Sequence, residues 1–152
     1  MIALRKGPEH IPSSWLLLAL AVGALFFATF VAAQVVAQSF TLSVAADALG
    51  LGLYGFVLVA AGHARRVLAT FTTLIGCGAI LMLAFAVELV LFEPLLGENP
   101  ALLIGLLIHF WSVFVEGHIM SRALSRHLFA GVAVAIAAFT VRYAFQLHLA
   151  RA

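Results

Sequence analysis

Five ionisable side chains interrupt otherwise apolar stretches of this sequence: Glu88, His109, Glu116, His118 and Arg142. A charge in hydrocarbon is costly, so such groups face a bundle interior or a water-filled route and find partners there. The chemistry open to them is passage of a proton or solute, or a structural ion pair. His109 and Glu116 stand seven residues apart and share one helix face, with Ser112 close to it. His118 and Arg122, four apart, share another. Arg142 lies 14 residues beyond Leu128, roughly 21 Å along a helix. Glu88 lies 21 residues beyond Val67, roughly 31 Å from that same border, and His109 lies 8 beyond Ala101, roughly 12 Å from the opposite one. This depth scale sandwiches Arg142 between Glu88 and His109, with Glu88 as its expected counter-charge and Tyr143 nearby. Glu116 falls about 9 Å from Arg122, where Arg65 or Arg66 could reach it. The plainer alternatives are a pair that only sets helix packing and an Arg142 that snorkels to the interface.

Other chemistry has less to stand on. His63 and His118 both lie toward one border and are the only pair that could ligate a b-type haem, so no cofactor is expected. Cys77 is the single cysteine, which excludes an intramolecular disulfide and a CxxC metal pattern. No nucleophile elbow, phosphate loop, HExxH or paired-carboxylate site occurs, so no enzyme is expected.

The elements that position these groups follow from composition. The 152 residues are 65% hydrophobic and only 9% charged, against about a quarter charged in a soluble domain. That much apolar surface requires lipid as its solvent, and backbone in lipid must be helical or closed into a barrel. The apolar runs are continuous rather than alternating, which selects helices. The expected architecture is all-α, one domain over 1–152, with membrane helices near 14–38, 44–61, 67–92, 101–124 and 128–148. Pro94 is expected to stop the third helix, Ser13 or Ser14 to cap the first, and Asp47 to suit the N-terminal dipole of the second, with an ion site as the alternative. Residues 15–33 exceed the 7–15 residues of a signal-peptide core, so they read as a retained span. Small residues mark expected packing faces: Ala24, Ala28 and Ala32 on the first helix, Gly52 and Gly55 on the second, Gly76 on the third.

Six of the eight Lys and Arg residues fall at alternate breaks: Arg5 and Lys6, Arg65 and Arg66, Arg122 and Arg126. By the positive-inside rule this places the N-terminus in the cytoplasm and the C-terminus outside, in a bacterial inner membrane. The basic residues are explained by lipid headgroups and insertion, so nucleic acid is not an expected partner.

The stretch from Arg5 to Ser14 before five apolar helices, and Phe110-Trp111-Ser112-Val113 leading into Glu116-Gly117-His118-Ile119-Met120-Ser121-Arg122-Ala123-Leu124, resemble small bacterial YIP-like membrane proteins. The resemblance implies a five-helix bundle with a cytoplasmic N-terminus. Eukaryotic relatives bind small GTPases through a longer cytosolic segment with an acidic Tyr-Gly-Pro motif. Neither is in this sequence, so that activity does not carry over. The leading functional expectation is a non-enzymatic scaffold or partner-binding membrane protein, possible as a homo-oligomer or with other membrane proteins. The alternative is a small transporter or channel-like protein using Glu116, His109 and Arg142, and a haem-binding redox subunit comes third. For topology, a reporter active only outside the cytoplasm should be active when fused after Ala152 and silent after Arg66. The reverse pattern would overturn the thread.

Overall fold

Once the backbone is helical, each apolar run must end where the chain supplies a cap or a conformational break. The computed structural model describes residues 14–36 and 39–150. Within them five helices are long and apolar enough to cross a membrane: α1 (Trp15–Val36), α2 (Phe40–Ala60), α3 (Val67–Leu96), α4 (Glu98–Ala123) and α5 (Leu128–Ala150). The protein is an all-α polytopic bundle. Ser14 caps α1, its Oγ accepting from the Leu17 amide at 3.4 Å and its carbonyl from the Leu18 amide at 3.1 Å.

Three boundaries differ from the sequence expectation, the start of α2, the end of α3 and the start of α4, at Glu98 rather than near 101. Helix α2 starts at Phe40 rather than near 44, because Ser39 to Ser43 form its first turn instead of a loop. The Ser43 hydroxyl donates back to the Ser39 carbonyl at 3.2 Å, a bond that a helical turn satisfies. Helix α3 runs through Pro94 to Leu96. Proline clashes only with the turn before it and withdraws one amide, so the helix carries on until Gly97 turns the chain at φ 85°. Helix α4 follows at once, with Pro100 in its first turn, where the amide has no helical partner to lose.

The helices close into a ring. Helix α1 packs on α3, α3 on α4, α4 on α5, α5 on α2, and α2 back on α1. The ends are unlike. At the end where α4 finishes and α3 begins, the Arg66 guanidinium donates to the Ala123 carbonyl at 2.8 Å and to Ser125 Oγ at 2.7 Å, while His63 Nε2 lies 3.0 Å from the Leu124 carbonyl. These contacts satisfy carbonyls left over at the α4 C-terminus and clip the two basic borders together. Above them Tyr54, Leu58, Leu74, Ile119, Met120 and Leu124 make a dense core. The other half of the ring is hollow.

Glycine placement decides which helices touch. A Cβ on Gly131 would sit 2.0 Å from the Gly117 carbonyl oxygen and 2.5 Å from the Ser121 amide nitrogen, and one on Gly117 would meet the Val132 Cα at 2.7 Å. Helices α4 and α5 therefore cross backbone to backbone, as small-xxx-small faces allow. Of the expected packing faces, Ala28 and Ala32 are buried and Gly55 lies against Phe71. Ala24 and Gly52 are exposed, and a Cβ on Gly52 or Gly76 would meet nothing within 4 Å. Those three assignments are corrected: spacing alone identified small residues, but the ring turns these ones away from any neighbour. Gly131→Ala should cost about 1–3 kcal/mol or more through overpacking against backbone that cannot yield. Gly23→Ala, with open space at its Cβ, should be neutral or stabilise by about 0.5–1 kcal/mol. Thermal unfolding of detergent-solubilised variants checks the ordering, and equal effects would show that the close crossing is not a constraint.

Candidate functional site: a charged floor beneath an intramembrane cavity

Arg142 projects from α5 into the ring, and its guanidinium needs partners there. Its Nη2 donates to Glu116 Oε2 of α4 at 2.7 Å, and its Nη1 lies 3.8 Å from Asp47 Oδ1 of α2. Tyr54 of α2 donates its phenolic hydrogen to the same Glu116 oxygen. Tyr54 is 2% exposed, and the side chains of Glu116, Arg142 and Asp47 are 14%, 21% and 23% exposed. Three helices are thus joined at one buried point. The 2.7 Å contact is a charge-assisted hydrogen bond; at 3.8 Å the Asp47 contact is a Coulombic pair without one.

The expected pairing of Arg142 with Glu88 is corrected. Helical side chains lean toward the N-terminus of their own helix. Helices α4 and α5 are antiparallel, so the long Arg142 side chain and that of Glu116 reach toward each other and close a gap of roughly 10 Å in depth along the axis. Glu88 lies beyond Arg142 in the direction opposite to that lean. The expected contact of Glu116 with Arg65 or Arg66 is corrected for the same reason, since Glu116 leans away from the basic end and Arg66 caps α4 instead. Asp47 does more than serve a helix dipole. It shares a face with Gly50 and Tyr54, and a Cβ on Gly50 would meet the Arg142 Cδ at 2.7 Å. The bare Gly50 surface is where the arginine stem lies. Sequence reasoning left Asp47, Gly50 and Tyr54 out of the site, although their spacing of three, four and seven on one face of α2 was the available signal.

Above this floor lies a cavity of about 480 Å³ with walls from all five helices, including Leu25, Asp47, Phe85, His109, Glu116 and Arg142. Leu106, His109 and Tyr143 line it and are themselves exposed, so the cavity opens past these side chains. A second cavity of about 110 Å³, between α1, α2 and α3, also touches Asp47. His109 Nδ1 lies 3.0 Å from the Gly105 carbonyl, and a carbonyl can only accept. The Nδ1 therefore carries a hydrogen. Phe85 meets the imidazole edge-on, with centroids 4.9 Å apart. Ser112 spends its hydroxyl on the His109 carbonyl at 2.7 Å.

The remaining candidates stay outside this network. Glu88 is 4% exposed and both its carboxyl oxygens lack a hydrogen-bond partner. It lies between α3 and α4 beside Gly105, where a Cβ would stand 3.4 Å from Oε2. His118 Nε2 is buried without a partner, and the His63 Nε2 that a haem iron would need is taken by the Leu124 carbonyl. Among the described residues no group of three or more His, Cys, Asp and Glu side chains could hold a metal. Of the two stretches that carry the YIP-like resemblance, residues 5–13 lie outside the described residues, and the other covers the second half of α4, where Ser112 and Glu116 line the cavity and Gly117 meets α5.

No protein-family model, curated protein or solved structure matches this chain. What the site does must therefore come from its own geometry.

Removing one member of a buried ion pair strands the other, at about 3–5 kcal/mol. Glu116→Ala should cause a loss of that order and lower the thermal midpoint strongly. Glu88→Gln removes a charge that has no partner and should be neutral or stabilising. Finding the Glu88 variant as damaged as the Glu116 variant would refute this division of roles.

Proposed function

We propose that this protein is a membrane-embedded binding protein for a small amphipathic molecule, of the transporter class, with its site in the cavity above Asp47, Glu116 and Arg142. One observation carries the reading: a cavity of about 480 Å³ in a five-helix ring has its only charged groups gathered at its floor. Ligand sites are typically about 300–1,000 Å³, mostly apolar, with few convergent polar groups. Membrane transporters commonly place such sites near the middle of the bilayer. The dense core between the floor and the basic end supports a site reached from one side. With the basic end cytoplasmic, as the charge pattern implies, the mouth faces outward. The scaffold reading rested on small-residue faces, of which Ala28 and Ala32 are spent inside the bundle while Ala24 and Gly52 stay exposed. The YIP-like resemblance enters this reading for architecture alone.

The test is accessibility. In a Cys77→Ala background, Ser112→Cys should react with a membrane-impermeant thiol reagent added from the mouth side. Ile119→Cys, set in the core beyond the floor, should not react. A protected Ser112→Cys would end the binding-site reading.

A further inference from the structure

We infer that the cavity takes a lipophilic monocation, an ammonium-like or phosphonium-like charge on an apolar body, and that Asp47 is its receptor carboxylate. This rests on the binding-site reading above and adds the charge of the ligand.

The first argument is charge balance. Asp47 and Glu116 bring two carboxylates to the lining against the single guanidinium of Arg142. The lining therefore holds one carboxylate in excess, and a bound monocation would cancel it.

The second argument is availability. The Arg142 guanidinium is held by Glu116 at 2.7 Å, its stem lies on Gly50, and its Nε is buried without a hydrogen-bond partner. Glu116 is doubly engaged, by Arg142 and by the Tyr54 hydroxyl. Asp47 is held only at 3.8 Å, so its oxygens keep acceptor capacity for a new partner. It also lines both cavities, which puts it at the junction of the two spaces a bulky ligand could fill.

The third argument is the rest of the lining. The Ser112 hydrogen is committed to a backbone carbonyl. Phe85, Phe139 and Tyr143 present aromatic rings to the space, and ring faces attract cations and repel anions. Beside the Asp47 carboxylate the lining also holds the Tyr143 hydroxyl, the Gln146 amide and an unpartnered Arg142 Nε.

Equilibrium dialysis of the full chain in lipid nanodiscs, against empty nanodiscs, tests the inference with tetraphenylphosphonium and with tetraphenylborate, which matches it in shape and opposes it in charge. Saturable binding of the cation alone is expected, weakened roughly tenfold or more by Asp47→Asn. Because the two probes are compared on the unaltered protein, the charge test stands even if that variant fails to fold. Equal binding of both probes, or tighter binding of the borate, overturns the cation assignment. An unreactive Ser112→Cys overturns the binding-site reading together with this one. A reactive Ser112→Cys with no bound cation overturns only the inference drawn here. Undiminished binding to a folded Asp47→Asn protein removes Asp47 from the receptor role.

Discussion

A guanidinium cannot lie among membrane helices without a counter-charge, and the bundle is arranged around that requirement. Arg142 comes from α5, Glu116 from α4, and Asp47 and Tyr54 from α2. No two of these helices can slide or rotate freely without stranding a charge. Apolar packing in lipid is permissive, since lipid tails offer the same contacts as a neighbouring helix. A buried ion pair is not permissive, because breaking it leaves an uncompensated charge. The network therefore sets register and rotation where the hydrophobic effect does not.

Residue size then divides the ring into a tight half and an open half. Gly117 and Gly131 bring α4 and α5 into backbone contact next to the core of Tyr54, Leu58 and Met120. Beyond the floor the ring is lined by Leu51, Met82, Phe85 and Phe139, and it does not close. Gly105 admits Phe85 to the α3–α4 seam, since a Cβ there would meet the ring at 2.9 Å. The polar network sits at the boundary between the two halves, with the packed core on one side and the cavity on the other. A binding site needs such a boundary: fixed charges on a packed base, facing a space that a ligand can fill.

The importance of Arg142 and Glu116 was legible from their type alone, because ionisable residues deep in apolar runs demand a reason. Their partnership was not. Depth read from residue counts placed them about 10 Å apart, and only the opposite lean of side chains on antiparallel helices closes that gap. Asp47 was legible as a charge near a helix start, but its use depends on which face of α2 turns inward. Glu88 looked like the natural partner by depth, and the structure leaves it buried and unpaired instead.

The amino-acid sequence by itself determined the solvent and the secondary structure. An apolar excess forces lipid burial, and lipid forces helices. Those properties are local or additive along the chain. Only the tertiary structure decided which faces meet, which glycines are contacts rather than bare surface, and which carboxylate holds Arg142. These depend on the rotation of each helix about its own axis. Here that rotation is set jointly by backbone contacts at Gly117 and Gly131 and by an ion pair between residues 26 positions apart. Apolar runs with almost no one-sided polarity could not announce it.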